Sequence, residues 1–131
     1  MKNMLPFVLT LTIVLSSFNI SAQTEKHIGP KITFDETKFC FDTLTSQDTA
    51  IHFFQFTNTG DEPLIISTAF TSCGCTVPIW PSYPIMPGKS DVVKIGFHTQ
   101  NLGYFNKAAV VKSNAVNTPV TLRINGYVKN P

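Results

Sequence analysis

Cys73 and Cys75 stand two residues apart around Gly74, in the run Ser72-Cys73-Gly74-Cys75-Thr76, and one further cysteine, Cys40, lies upstream. On an extended segment two such thiols point to one face, and Gly74 permits a sharp bend between them. Several chemistries compete for them. As a structural staple, Cys40 pairs with Cys73 or Cys75 and leaves one thiol over. As a redox pair, Cys73 and Cys75 close on each other across Gly74, with Cys40 as a resolving thiol. A regular strand would hold their Cα atoms near the ~7 Å limit for a disulfide, so this closure needs a bend. No His or Lys flanks the motif to lower a thiol pKa. As a metal site, the thiolates of Cys73 and Cys75 suit Cu(I) or Zn²⁺, but a closed zinc site takes four ligands, and Cys40, His52 or His98 would have to converge on the pair. The fourth reading keeps all three thiols for packing, inert.

The other reactive side chains are sparse. His27 sits in a polar N-terminal stretch, and His52 and His98 are read as surface histidines on strands. Asp61 and Glu62 fall in a turn, where Asp commonly bonds to backbone. Trp80 and Tyr83, in a Pro-rich stretch after the cysteines, are candidates for an exposed contact patch, with core packing as the rival reading. There is no Gly-rich phosphate loop, no G-x-S-x-G and no H-E-x-x-H, so nothing points to an enzyme. No resident cofactor is expected beyond the Cu or Zn option.

These residues must be positioned by one small domain. The chain has 131 residues, 43 % of them hydrophobic, with 7 Gly and 9 Pro scattered as turn punctuation. The net charge is +2, with no basic stripe, which leaves nucleic acid without an electrostatic footprint. Residues 1–22 have the layout of a secretory signal: Lys2, an apolar stretch from Met4 to Phe18, and a small residue at Ala22. Cleavage is expected between Ala22 and Gln23, which makes Gln23 the first residue of the mature chain. The apolar stretch is shorter than the roughly 20 residues a spanning helix needs. The expected address is therefore periplasmic or extracellular, with no membrane span after cleavage. Residues 23–30 read as a flexible lead-in.

From residue 31 to 131 apolar residues recur with a period of two. Strands are expected at 31–34, 38–41, 50–58, 63–71, 91–98, 105–113 and 120–128, with 76–85 irregular. About seven short strands with regular turn signals predict an all-β, immunoglobulin-like two-sheet sandwich. Asn58-Thr59-Gly60-Asp61 reads as a turn using a positive φ at Gly60, and Pro87-Gly88 as a tight turn of type I or II.

Phe54-x-Phe56-x-Asn58-Thr59-Gly60-Asp61-x-Pro63-Leu64-x-Ile66, Ser72-Cys73-Gly74-Cys75-Thr76, Pro84-Ile85-x-Pro87-Gly88, Ile95-x-Phe97, Gly103-x-Phe105-x-Lys107 and Leu122-x-Ile124-x-Gly126-x-Val128 follow one another over about residues 50–128. In this order they resemble domain of unknown function 1573, a family of bacterial secreted proteins common in Bacteroidetes. The resemblance implies a sandwich similar to the immunoglobulin-like domains of Hydin-type cilia proteins, and no activity. The leading expectation is a non-catalytic binding or interaction module with a protein or cell-envelope partner, acting through loops or a sheet edge. The alternative is a thiol-based metal or redox site at Cys73/Cys75.

Overall fold

A computed structural model describes residues 26–131. The expected signal segment lies outside the described residues. So do both residues of the expected cut, Ala22 and Gln23, and the start of the lead-in from Gln23 to Glu25. Eight strands form: β1 (Ile32–Phe34), β2 (Lys38–Thr45), β3 (Thr49–Asn58), β4 (Ile66–Thr71), β5 (Thr76–Ile79), β6 (Ser90–His98), β7 (Gly103–Ser113) and β8 (Val120–Lys129). They make two four-stranded sheets, ordered β1-β3-β6-β5 and β2-β8-β7-β4. The pairings are antiparallel except β2 with β8, which is parallel.

The alternation explains the layering. In β6, Val93, Ile95 and Phe97 are buried, and in β8 Leu122, Ile124 and Val128 are buried with Thr121, Arg123 and Tyr127 outside. Facing side chains of the two sheets interdigitate as in a sandwich, and the core also takes Phe54, Phe56, Leu64 and Ile66. Gly126 is required by packing: a Cβ there would come within 2.8 Å of the Phe105 ring.

The expected strands are present, and one more appears. The stretch 76–85, read as irregular, opens with β5, paired to β6 from Thr76↔Phe97 to Ile79↔Lys94. Its four residues include Pro78, which hid the period. Gly88 carries φ +79° after Pro87, and Lys89 N–H donates to the Met86 carbonyl, as in a type II turn. Gly60 serves differently from expectation. It does not need a positive φ; a Cβ there would lie 2.0 Å from the Gly29 carbonyl oxygen, so the glycine is demanded by close approach.

The end of the sandwich near Gly60 is closed by polar side chains. Asn58 is fully buried; its amide nitrogen donates to the carbonyls of Glu62 and Ile85, and its side-chain oxygen accepts from Gly60 N–H. Asp61 accepts from the N–H groups of Ile28 (2.9 Å) and Gly29 (2.7 Å), and His27 bridges Asp61 and Glu62. The reading of 23–30 as a flexible lead-in is thus corrected for its last four residues, which are tied to the β3–β4 turn and bury Gly29 and Pro30.

Candidate functional site

At the opposite end of β6 the chain turns sharply between β4 and β5. Thr76 N–H donates to the Cys73 carbonyl, and the Thr71 hydroxyl lies within bonding distance of the Cys73 and Thr76 carbonyls (2.9 and 3.1 Å). This bend brings the Cα atoms of Cys73 and Cys75 to 5.3 Å and closes a disulfide between them. Cys40 is free and exposed. The staple between Cys40 and the pair is therefore corrected. β2 and the β4 that leads to the pair are opposite edges of one sheet. Three strand spacings of about 4.8 Å separate them, beyond the ~7 Å Cα reach of a disulfide.

Both sulfurs now belong to the disulfide, and among the described residues no three His, Cys, Asp or Glu side chains gather as a metal-binding group. A three-residue loop also gives a disulfide little to constrain. The chain-entropy relation yields about 1.6 kcal/mol for it, against about 3 for a 15-residue loop.

The disulfide lines an open cleft of about 250 Å³ with His98, Gln100, Asn101, Leu102, Tyr104 and Lys107, floored by Phe97 and Phe105. Phe97 and Phe105 stack at 4.4 Å. Lys107 has the inward parity of Phe105 and Ala109, and its ammonium sits 5.8 Å over the Phe97 ring. Cys75 N–H donates to Cys73 Sγ at 3.4 Å, and a Cβ added to Gly74 would meet nothing within 4 Å. Sequence reasoning found the cysteines and named His98 among the side chains that would have to converge on them, but it did not find Lys107, which comes from β7, far along the chain. Cys40 lines a separate hollow across Tyr104 and Phe105, with Asp42 and Tyr127.

The remaining candidates sort by burial. His52 is not a surface histidine: it shares the inward parity of Phe54 and Phe56, stacks on Phe39 at 3.7 Å and bonds Glu36 at 2.5 Å. Trp80 is half-buried against the core, and Tyr83 is exposed and donates to Asp91. That bond holds the Tyr83 hydroxyl above its ordinary pKa. Trp80 lines a shallow hollow with Pro78, Ile79 and Ser82. Ala22 and Gln23, the expected cleavage pair, lie outside the described residues.

An apolar surface does exist, on the outer face of the β1-β3-β6-β5 sheet. Ile51 and Phe53 of β3 and Val77 and Ile79 of β5 are 43 to 55 % exposed. Register places them in two rows, Ile51–Gly96–Val77 and Phe53–Lys94–Ile79. Lys94 Nζ lies 6.0 Å from the Phe53 ring centre. The outward positions of β3, β6 and β5 carry no carboxylate.

The flanking edges are closed to strand addition. Asn117 clasps Ile32, accepting from its N–H at 3.1 Å and donating to its carbonyl at 2.6 Å. In β5, Cys75 bonds across to His98, so Thr76 and Pro78 turn their backbone outward. Thr76 is bonded by Cys73 and Thr71, and Pro78 has no N–H.

Two stacked four-stranded sheets define an immunoglobulin-like sandwich. The chain belongs to the family described as Protein of unknown function (DUF1573), whose model matches residues 32–128. None of the curated proteins compared matches it. Among solved structures it is similar to a protein of unknown function from Porphyromonas gingivalis W83, at 14 % identity and TM-score 0.68 over 76 % of this chain and 47 % of that one. The chain thus spans about half of that protein. It is also similar to an ASH/PapD-like domain of human CEP192, at 11 % identity and TM-score 0.61, covering 77 % and 87 %. The secreted serine protease VesC of Vibrio cholerae matches at 12 % identity and TM-score 0.59, covering 75 % of this chain and 23 % of that one. These likenesses concern the fold. Among the described residues no helix is long and apolar enough to cross a membrane.

Proposed function

We propose that the domain is a non-catalytic interaction module working outside the cytoplasm, and that it binds a protein surface that is apolar and carries a carboxylate. The observation that carries this reading is the outer face with Ile51, Phe53, Val77 and Ile79 around Lys94. Contiguous exposed apolar residues on a sheet mark an interaction site more often than a plain surface. The only charge set among them is positive, and an acidic group from a partner complements it. On this sheet, the satisfied backbone at Ile32 and the proline in β5 favour the face over strand addition. The secretory layout of residues 1–22, with its cut before Gln23, and the secreted protease among the fold neighbours support the address.

The test is selection of binders from a displayed random peptide library on the immobilised domain. Selected peptides are expected to combine apolar residues with Asp or Glu and to lose binding by tenfold or more to Lys94→Glu and Phe53→Ser, with unchanged melting temperature. Binders indifferent to both substitutions would refute the reading. So would self-association, or binding to phosphatidylglycerol vesicles, that these substitutions abolish without any peptide preference.

A further inference from the structure

We infer that Cys73–Cys75 is a redox-active disulfide that exchanges with a dithiol on a partner polypeptide. The inference is independent of the apolar face and rests on four observations at the open end of the sandwich. First, a bridge across three residues is a weak staple, constraining the unfolded chain by about half of what a 15-residue loop gives. Second, the tip is reachable: Gly74 is exposed with open space around it, and Cys73 and the half-buried Cys75 line an open cleft of about 250 Å³. Third, Lys107 lines the same cleft as the two cysteines, and a lysine ammonium there favours a thiolate formed in it. Fourth, the two sulfurs are inequivalent, because Cys75 N–H donates to Cys73 Sγ. A hydrogen bond to one sulfur stabilises negative charge there and makes it the better leaving group.

The reaction follows from that asymmetry. A partner thiolate attacks Cys75 Sγ; a partner–Cys75 disulfide forms, the Cys73–Cys75 bond breaks, and Cys73 leaves as a thiolate. A second thiolate on the partner then attacks the partner sulfur of the mixed disulfide and releases Cys75. The partner ends as a disulfide, having given two electrons and two protons, and Cys73 and Cys75 end as thiols. Cys40 takes no part: it lies in a different hollow.

The experiment uses the oxidised Cys40→Ser variant, whose changed residue is exposed on an edge strand. It is mixed with a synthetic peptide carrying two cysteines, quenched with acid, alkylated and weighed by mass spectrometry. The folded protein should oxidise the peptide one for one, at least tenfold faster than the excised oxidised segment of residues 70–78 does. A single-cysteine peptide should be trapped on Cys75 and not on Cys73, and Lys107→Met should slow exchange severalfold with an unchanged circular dichroism spectrum. Exchange no faster than in the excised segment, or reduction only in denaturant, would overturn the proposal. Adducts found chiefly on Cys73 would overturn the assigned order of attack. Loss of peptide binding at Lys94 would leave these rates untouched, so the two readings fail separately.

Discussion

At the scale of single residues, side chains at the closed end do what backbone pairing does elsewhere. Asn58 is fully buried and satisfied on both its amide nitrogen and its oxygen. A smaller residue would strand the carbonyls of Glu62 and Ile85 in the interior. Asp61 does the same from the surface for the N–H groups of Ile28 and Gly29. Its carboxyl is held below the ordinary value, first by the Ile28 N–H, against opposing desolvation, with help from Gly29 N–H and the charge of His27. The linkage has a definite sign. The folded pKa is depressed, so in the acid range the unfolded chain binds more protons. The stabilisation is complete above the ordinary aspartate value of about 3.9 and is lost as pH falls through the lower folded value. Denaturant midpoints measured across the acid range should therefore fall below about pH 4. Asp61→Asn should flatten that part of the profile, and an identical slope in both proteins would show that the tie carries no proton linkage.

At the scale of elements, the edges of the β1-β3-β6-β5 sheet have been made less fit for further pairing. Asn117 acts as a short strand toward Ile32, and Pro78 removes the donor that β5 would otherwise turn outward. Pro78→Val restores that N–H beside exposed Val77 and Ile79, and light scattering should detect dimers or larger species absent from the parent. Asn117→Leu strands two backbone groups of Ile32 and should lower unfolding free energy by about 1–3 kcal/mol. A monomeric Pro78→Val protein would mean that β5 is shielded by something other than its proline. The strands themselves were legible in the sequence wherever alternation ran long enough, as in Val93, Ile95 and Phe97. β5 was not, because four residues including a proline give no period. The parity of His52 with Phe54 and Phe56 was also present in the sequence, but a polar side chain at an inward position reads as outward until Phe39 and Glu36 are seen to receive it. The cysteines were visible as a chemical pair. Their closure on each other was one of four open readings, and the sequence could not choose it because it depends on the bend that Thr71 and Thr76 hold. His98 was only one of three candidates to converge on the cysteines, and Lys107 was not visible as a neighbour, since only the packing of β6 and β7 beside the bend places both there.

At the scale of the whole molecule, the sandwich has one sealed end and one open end. β6 runs between them, nine residues at about 3.4 Å each, or roughly 30 Å. At the sealed end Leu64 and Ile85 exchange both backbone hydrogen bonds, Asn58 fastens the turns over them, and Val116 N–H bonds to the Pro30 carbonyl. At the other end the β4–β5 bend is held by hydroxyl–carbonyl bonds and a three-residue disulfide loop, and the β6–β7 connection exposes Gln100, Asn101 and Leu102. Regions with few buried contacts and exposed backbone bonds open locally at free energies well below the global value. Amide hydrogen exchange should then divide the molecule. The N–H groups of Asn58, Leu64, Ile85 and Gly88, bonded at the sealed end, should exchange only through global unfolding, with a free energy that tracks denaturant addition. Those of Thr76, His98 and Gln100 should exchange faster, by openings insensitive to low denaturant. Such a gradient suits both proposed activities, because a partner's thiolate must reach Cys75 while the β3 and β6 face stays rigid. Equal protection at both ends would make the cleft as rigid as the core, and exchange at Cys75 would then require an approach that leaves the β4–β5 bend in place.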